Sequence, residues 1–155
     1  APAGHTARIG FAQPREDRQE RGLAVAVAAD DADPIARVHT AVLAGTDPVI
    51  MLTAPIPATQ KALKKSGLSV NDIGVFEVNE AFATVPLAWQ QELGADFAKV
   101  NPNGGAIAMG HPLGGSGSRL MTTMVHHMQA NGIKYGLQTM CEGGGQANAT
   151  ILELL

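Results

Sequence analysis

At 155 residues the chain is long enough for one domain with a real core, and its 45% apolar content is that of a globular protein. A formal net charge of −3 gives no electrostatic case for nucleic acid, and no stretch nears the roughly 18 apolar residues that span a membrane. The single cysteine, Cys141, excludes an internal disulfide, and the N-terminus lacks the charged-then-apolar order of a signal peptide, so the cytoplasm is the expected compartment. Aromatic residues are scarce at 4% while glycine (18) and alanine are plentiful. That composition favours close backbone packing in an α/β fold over an aromatic-rich sandwich.

Residues 1–34 read differently from the rest. "QPREDRQERG" is a mixed-charge run suited to a solvated helix, "LAVAVAADDADP" suits a strand or a weak helix, and a poorly ordered arm fits both. From Ile35 the signals sharpen. "ARVHTAVLAGTD" and "PVIMLTAP" are apolar runs of β character, ended by Gly45-Thr46-Asp47 and by Pro55. "IPATQKALKKSG" predicts a helix with Lys61, Lys64 and Lys65 on its wet side and Gly67 as its stop. A turn and a strand, Val75 to Val78, follow. "AFATVPLAWQQELG" predicts a helix carrying Pro86 early and Gly94 at its end. In "SGSRLMTTMVHHMQANG" the four-residue spacing of Leu120, Met124 and Met128 predicts a helix closed by Asn131-Gly132. The tail predicts two strands joined at Gly143-Gly144-Gly145. The order is a layered α/β arrangement, and nothing divides the part after Ile35.

Three places invite chemistry. "NPNGGAIAMGHPLGGSGSRL" lacks the lysine of a phosphate-binding P-loop, because Ser116 follows Gly114-Gly115, and it carries no G-x-G-x-x-G fingerprint. A linker is disfavoured by the apolar Ile107, Met109 and Leu113. What remains is a packed loop in which Pro112 restricts His111. His111 is then either satisfied structure or a pre-positioned base. Cys141 is either a small buried hydrophobe or a thiol beside the free N–H groups of a triglycine turn, which suit an oxyanion. Glu142 neighbours it, but adjacent strand residues point to opposite faces. Asn79, in "VNEAFA", is either a helix N-cap or an amide holding a water or carbonyl. His126 and His127 are adjacent on a helix, cannot face one metal together, and read as surface or partner-facing residues.

"NEAF" at Asn79, "GHP" at Gly110 and "CEGGG" at Cys141, in that order, resemble the C-terminal half of thiolases. "GTDPVIMLTAPIPATQKAL" and "VNPNGGAIAMGHPLGGSG" are similar to the family in wording and position. The likeness runs from about Ile35 to Leu155, and "CEGGGQAN" resembles bacterial acyl-CoA-degrading thiolases more than the "CIGGG" biosynthetic type. It implies an α/β fold of the thiolase C-terminal kind: a layered mixed β-sheet with helices on its faces and a C-terminal β-hairpin, over 35–155, behind an atypical leader at 1–34. It implies an acyltransferase that thiolytically cleaves 3-ketoacyl-CoA or runs the reverse condensation of acetyl-CoA. Coenzyme A and its acyl and acetyl thioesters would be the partners, with no cofactor, metal, nucleic acid or membrane, and a homo-oligomer when full length. His111 would activate the nucleophile and, with a water held by Asn79, stabilise the thioester enolate oxygen. Cys141 would move the acetyl α-proton, and the Gly143 N–H would help hold the tetrahedral oxyanion.

Two departures qualify the likeness. The family's acyl-accepting cysteine lies in its N-terminal half, and its Gly/Asn/Ser-rich segment before the first C-terminal strand has no counterpart in Ala1 to Pro34. The expectation is a truncated gene product with a replaced or frame-shifted leader, inactive alone. A non-catalytic binding or assembly module is the competing reading. A ketoacyl synthase is disfavoured, since those enzymes generally carry a His-His pair where Cys141 and "NEAF" stand.

Overall fold

The computed structural model describes residues 35–155, together with the backbone of two short strands nearer the N-terminus, β1 (Arg8–Phe11) and β2 (Val25–Ala28), which pair antiparallel. The mixed-charge run expected to be a solvated helix lies outside the described residues. The domain proper follows as β3 (Ala36–Gly45), α1 (Pro55–Ser66), β4 (Val75–Val78), α2 (Thr84–Leu93), the short α3 (Ala106–Met109), α4 (Ser116–Asn131), β5 (Tyr135–Glu142) and β6 (Gln146–Leu154).

Four strands form one mixed sheet in the order β3-β6-β5-β4. The hairpin β5–β6 and the pair β3–β6 are antiparallel, while β4 runs parallel to β5, Val75 opposite Gly136 and Val78 opposite Thr139. Period-two alternation sends side chains to two separate cores. On one face Phe76, Val78, Leu137, Ala149 and Ile151 pack with Ala58 and Ala62 of α1 and Trp89 of α2. On the other, Val75, Ala36 and Leu152 meet Met124, Val125 and Met128 of α4. The methionine stripe read from the sequence is therefore a core seam. Gly136 lets α4 approach, since a Cβ there would lie 2.6 Å from Met128 Sδ and 3.0 Å from Met124 Sδ.

Glycine ends the three long helices where expected: Gly67, Gly94 and Gly132 sit in the left-handed region at φ 75°, 65° and 63°. Trp89 ties the α1 and α2 layer together. Its indole N–H donates to Thr59 Oγ1 at 2.9 Å and its ring meets Phe76 edge-on at 5.1 Å between centroids.

One expectation fails. "PVIMLTAP" is no strand but a run of turns leading into α1. Asp47 Oδ1 accepts the Val49 N–H at 2.7 Å, and Met51 takes φ 58°, so the backbone bonds locally instead of joining the sheet. Val49 and Ile50 consequently stand in solvent, 88% and 61% exposed.

Candidate active site

The site lies where β4 and β5 end side by side. Past Val78 the ladder continues for one bond, Asn79 N–H to Thr139 O at 3.0 Å, which fixes the Asn79 backbone beside the strand leading to Cys141. Asn79 is buried, and it is not a helix cap: α2 begins at Thr84, capped by Ala83 without a side-chain bond. The N-cap alternative is thereby removed. The Asn79 Nδ2 amide instead faces His111 Nε2 at 3.5 Å, and its Oδ1 is buried with no protein partner. An orphaned acceptor of this kind costs free energy unless a water or ligand meets it.

Several contacts hold His111 in place. Gly110, at φ 85°, turns the chain into the histidine. Arg119, one turn into α4, donates from Nη1 to Met109 O at 2.6 Å and to Gly110 O at 3.1 Å, clamping the two carbonyls just before the ring. On the far side of the imidazole, Nδ1 lies 2.6 Å from the buried Ser116 hydroxyl.

Glu80 links the asparagine strand to the histidine loop. Its Oε1 accepts from Asn101 Nδ2 at 3.0 Å and its Oε2 accepts from the Ile107 N–H at 2.9 Å, at the start of α3. Asn101, at φ 48°, also exchanges two bonds with the Val78 backbone, at 2.8 and 2.9 Å. A Cβ on Gly105 would fall 2.6 Å from the Glu80 carboxyl carbon, so that glycine is what lets the loop close onto the carboxylate. The segment from Asn101 to His111 is thus an internally bonded loop, but not for the reason its apolar residues suggested: Ile107, Met109 and Leu113 are all exposed, and the loop is held by polar bonds to Glu80, Asn101 and Arg119.

Cys141 and Gly143 stand on the neighbouring strand end. Cys141 is partly buried and packs against the α1-side core. Burial pushes its thiol pKa upward; a backbone hydrogen bond opposes this, and the Glu142 carboxylate adds to it least. The weak direct influence of Glu142 matches its opposite-facing position, where Oε1 accepts from Asn148 Nδ2 at 2.8 Å. Gly143 is exposed, and nothing lies within 4 Å of where its Cβ would be, so its backbone is open to a ligand. The hydrogen-bonded set is therefore Asn79–His111–Ser116, with Cys141 and Gly143 at the end of the adjacent strand β5.

Reading residue types alone passed over Ser116, Glu80, Arg119 and Glu77. The first three act through bonds to segments 5 to 27 residues away. Glu77 is fully buried with both carboxyl oxygens unpartnered, and burial, with the Glu80 charge second, raises its pKa to about 8. Of the adjacent histidines, His126 is exposed and His127 Nδ1 accepts from Asn103 Nδ2 at 2.9 Å.

Comparison with known proteins identifies the family. The family model described as thiolase, C-terminal domain, matches residues 32–154. The chain is 60% identical over 122 residues to the steroid 3-ketoacyl-CoA thiolase FadA6 of Mycobacterium tuberculosis, a match covering 79% of this chain and 30% of that protein. It is 50% identical over 122 residues to the acetyl-CoA acetyltransferase of Escherichia coli, covering 79% of this chain and 31% of the relative. Crystal structures of human mitochondrial 3-ketoacyl-CoA thiolase, one of them in complex with CoA, align at a TM-score of 0.77 and 49% identity over 79% of this chain and 31% of theirs. The chain thus spans less than a third of the length of these relatives. With nearly all of the described fold matched in both sequence and structure, the chain belongs to the thiolase family and carries its C-terminal domain.

Proposed function

We propose that this chain supplies the acid–base half of a thiolase active site that cleaves 3-ketoacyl-CoA with coenzyme A. The observation that carries the reading is the pairing of buried Asn79 with the half-buried His111, set beside the strand end that bears Cys141. In this scheme a thiolate from thiolase sequence outside these 155 residues attacks the 3-keto carbon, because Cys141 is the chain's single cysteine. His111 Nε2 takes that thiol's proton and then, as an N–H donor, faces the thioester oxygen together with a water held at Asn79 Oδ1. The C2–C3 bond breaks and its electron pair becomes the acetyl-CoA enolate. Cys141 protonates that carbon, a task suited to a thiol kept neutral by burial. The Gly143 N–H helps hold the tetrahedral oxyanion; coenzyme A then gives its thiol proton to the Cys141 thiolate and attacks the acyl thioester, and the departing nucleophile thiolate takes back the proton held on His111 Nε2.

Two further features support the reading. Phe82, Ile107 and Leu113, on the segments that carry Asn79 and His111, are 60%, 66% and 87% exposed. Such exposure suits a site covered by the rest of a thiolase, in an assembly that is oligomeric when complete. The degradative direction draws on the "CEGGG" wording and on the higher identity to the steroid thiolase than to the acetyltransferase.

The test is acetoacetyl-CoA cleavage by the chain alone and after mixing with a separately expressed thiolase N-terminal half. Activity only on mixing is the expected result. No activity in either condition, with both partners folded, favours a binding or assembly module instead.

A further inference from the structure

We propose that Ser116 is a positioning residue that holds His111 as its Nδ1–H tautomer, leaving Nε2 as the atom that accepts a proton. That this serves thiolysis rests on the proposed function; the tautomer itself does not.

The argument is one of donors and acceptors. Ser116 is 2% exposed, at the first position of α4. Its hydroxyl lies 2.6 Å from His111 Nδ1 and 3.1 Å from the Pro112 carbonyl oxygen. That carbonyl also receives the Gly115 and Ser116 backbone N–H groups, both at 2.9 Å, so the turn around it is fixed. A hydroxyl owns a single proton, and a carbonyl can only accept. On the other side of the ring Nε2 faces the Asn79 amide nitrogen, which can only donate. The three contacts along this chain are satisfied by one direction of travel: Asn79 N–H to Nε2, Nδ1–H to Ser116 Oγ, and Oγ–H to Pro112 O. The reverse direction sets two donors against each other at Nε2 and withdraws the hydroxyl proton from Pro112.

The consequence is chemical. With Nδ1 committed to Ser116, the lone pair of the neutral imidazole is at Nε2, toward Asn79 and the end of β4. When Nε2 gains a proton, Nδ1–H keeps its acceptor on Ser116, so that side of the ring stays fixed and only the Asn79 amide turns away from the new Nε2–H. Arg119 completes the support by fixing the two carbonyls that precede the ring. A serine that merely stitched its helix to Pro112 through the four-residue back-bond would anchor the turn and leave the tautomer alone. The two roles therefore have different signatures.

The experiment is long-range proton–nitrogen correlation on the folded chain labelled with ¹⁵N-histidine, at a pH where imidazole is neutral, with His111 assigned from the signals missing in His111→Gln. The expected wild-type pattern is a protonated-type Nδ1 and an unprotonated-type Nε2. In Ser116→Ala the Nδ1–H form should fall from nearly the whole population to a minority, toward the Nε2–H form that free imidazole prefers. Should that variant not fold, Ser116→Cys, whose thiol accepts weakly, replaces it, with a partial loss of the Nδ1–H form expected. An Nε2–H tautomer in the wild type, or a folded variant that keeps the wild-type pattern, overturns the proposal. Neither outcome depends on catalytic activity, so failure here leaves the thiolase reading standing.

Discussion

Glu77 makes stability fall as pH rises. Its side chain is inaccessible to solvent on the face of β4 opposite Phe76 and Val78, and neither carboxyl oxygen has a partner. Gln138 stands opposite it in register, but that amide donates to Gly117 O at 2.8 Å. The carboxyl is thus held neutral, its pKa raised from 4.5 to about 8, chiefly by burial and secondarily by the Glu80 charge. Because the folded pKa lies above the unfolded one, the unfolded state ionises first. The stabilisation is whole below 4.5 and is lost as pH climbs to about 8. At about 1.4 kcal/mol per pH unit, the full loss is ~5 kcal/mol, of which ~3 kcal/mol falls between about pH 5.5 and about pH 8.5. Glu77→Gln removes the titration while keeping the shape. Urea denaturation of both proteins across that range should show wild type losing ~3 kcal/mol more than the variant, other titrating groups cancelling in the difference. Parallel pH profiles would refute the reasoning, because they would mean the carboxylate is accommodated in the fold.

Other consequences are open to the same kind of measurement. Gly145→Ala should destabilise more than Gly136→Ala. Its Cβ would lie 2.8 Å from Thr46 O and 2.9 Å from Asp47 O at φ 77°, against unyielding backbone, whereas at Gly136 the clash is with flexible methionine ends. Denaturation midpoints should rank them so, with ~1–3 kcal/mol for Gly136→Ala. Thr59→Val strands the buried Trp89 N–H and should cost ~1–3 kcal/mol, with a shifted tryptophan fluorescence maximum. Cys141, its thiol pKa raised by burial, should alkylate more slowly than a free cysteine at neutral pH, its rate still climbing above the ordinary thiol range. An alkylation profile that levels off at neutral pH would contradict this.

Local chemistry decided what the sequence disclosed. Helix ends were legible because Gly67, Gly94 and Gly132 mark left-handed stops, and the hairpin because three glycines divide two apolar runs. The segment after Gly45 misled because Val49 and Ile50 look like strand residues yet lie on turns. The capturing carboxylate of Asp47 outweighs their β preference, and their exposure shows that apolar character here does not serve this domain's own core. In the site, His111, Asn79 and Cys141 were visible as motif residues. Ser116 and Glu80 stood inside the quoted motifs and still passed unread, because their roles exist only once the Asn101–His111 loop folds onto β4. Glu77 follows an ordinary strand pattern, and only its enclosure makes it unusual.

The central claim is that Asn79, His111 and Cys141 form the acid–base half of a thiolase site. Its most direct test is acetoacetyl-CoA thiolysis by the chain mixed with a thiolase N-terminal half, repeated with His111→Gln and Cys141→Ala. The account predicts activity that requires both parts and falls at least about 100-fold in each variant, the usual worth of a lost acid–base group. Activity on mixing that survives Cys141→Ala or His111→Gln would contradict it.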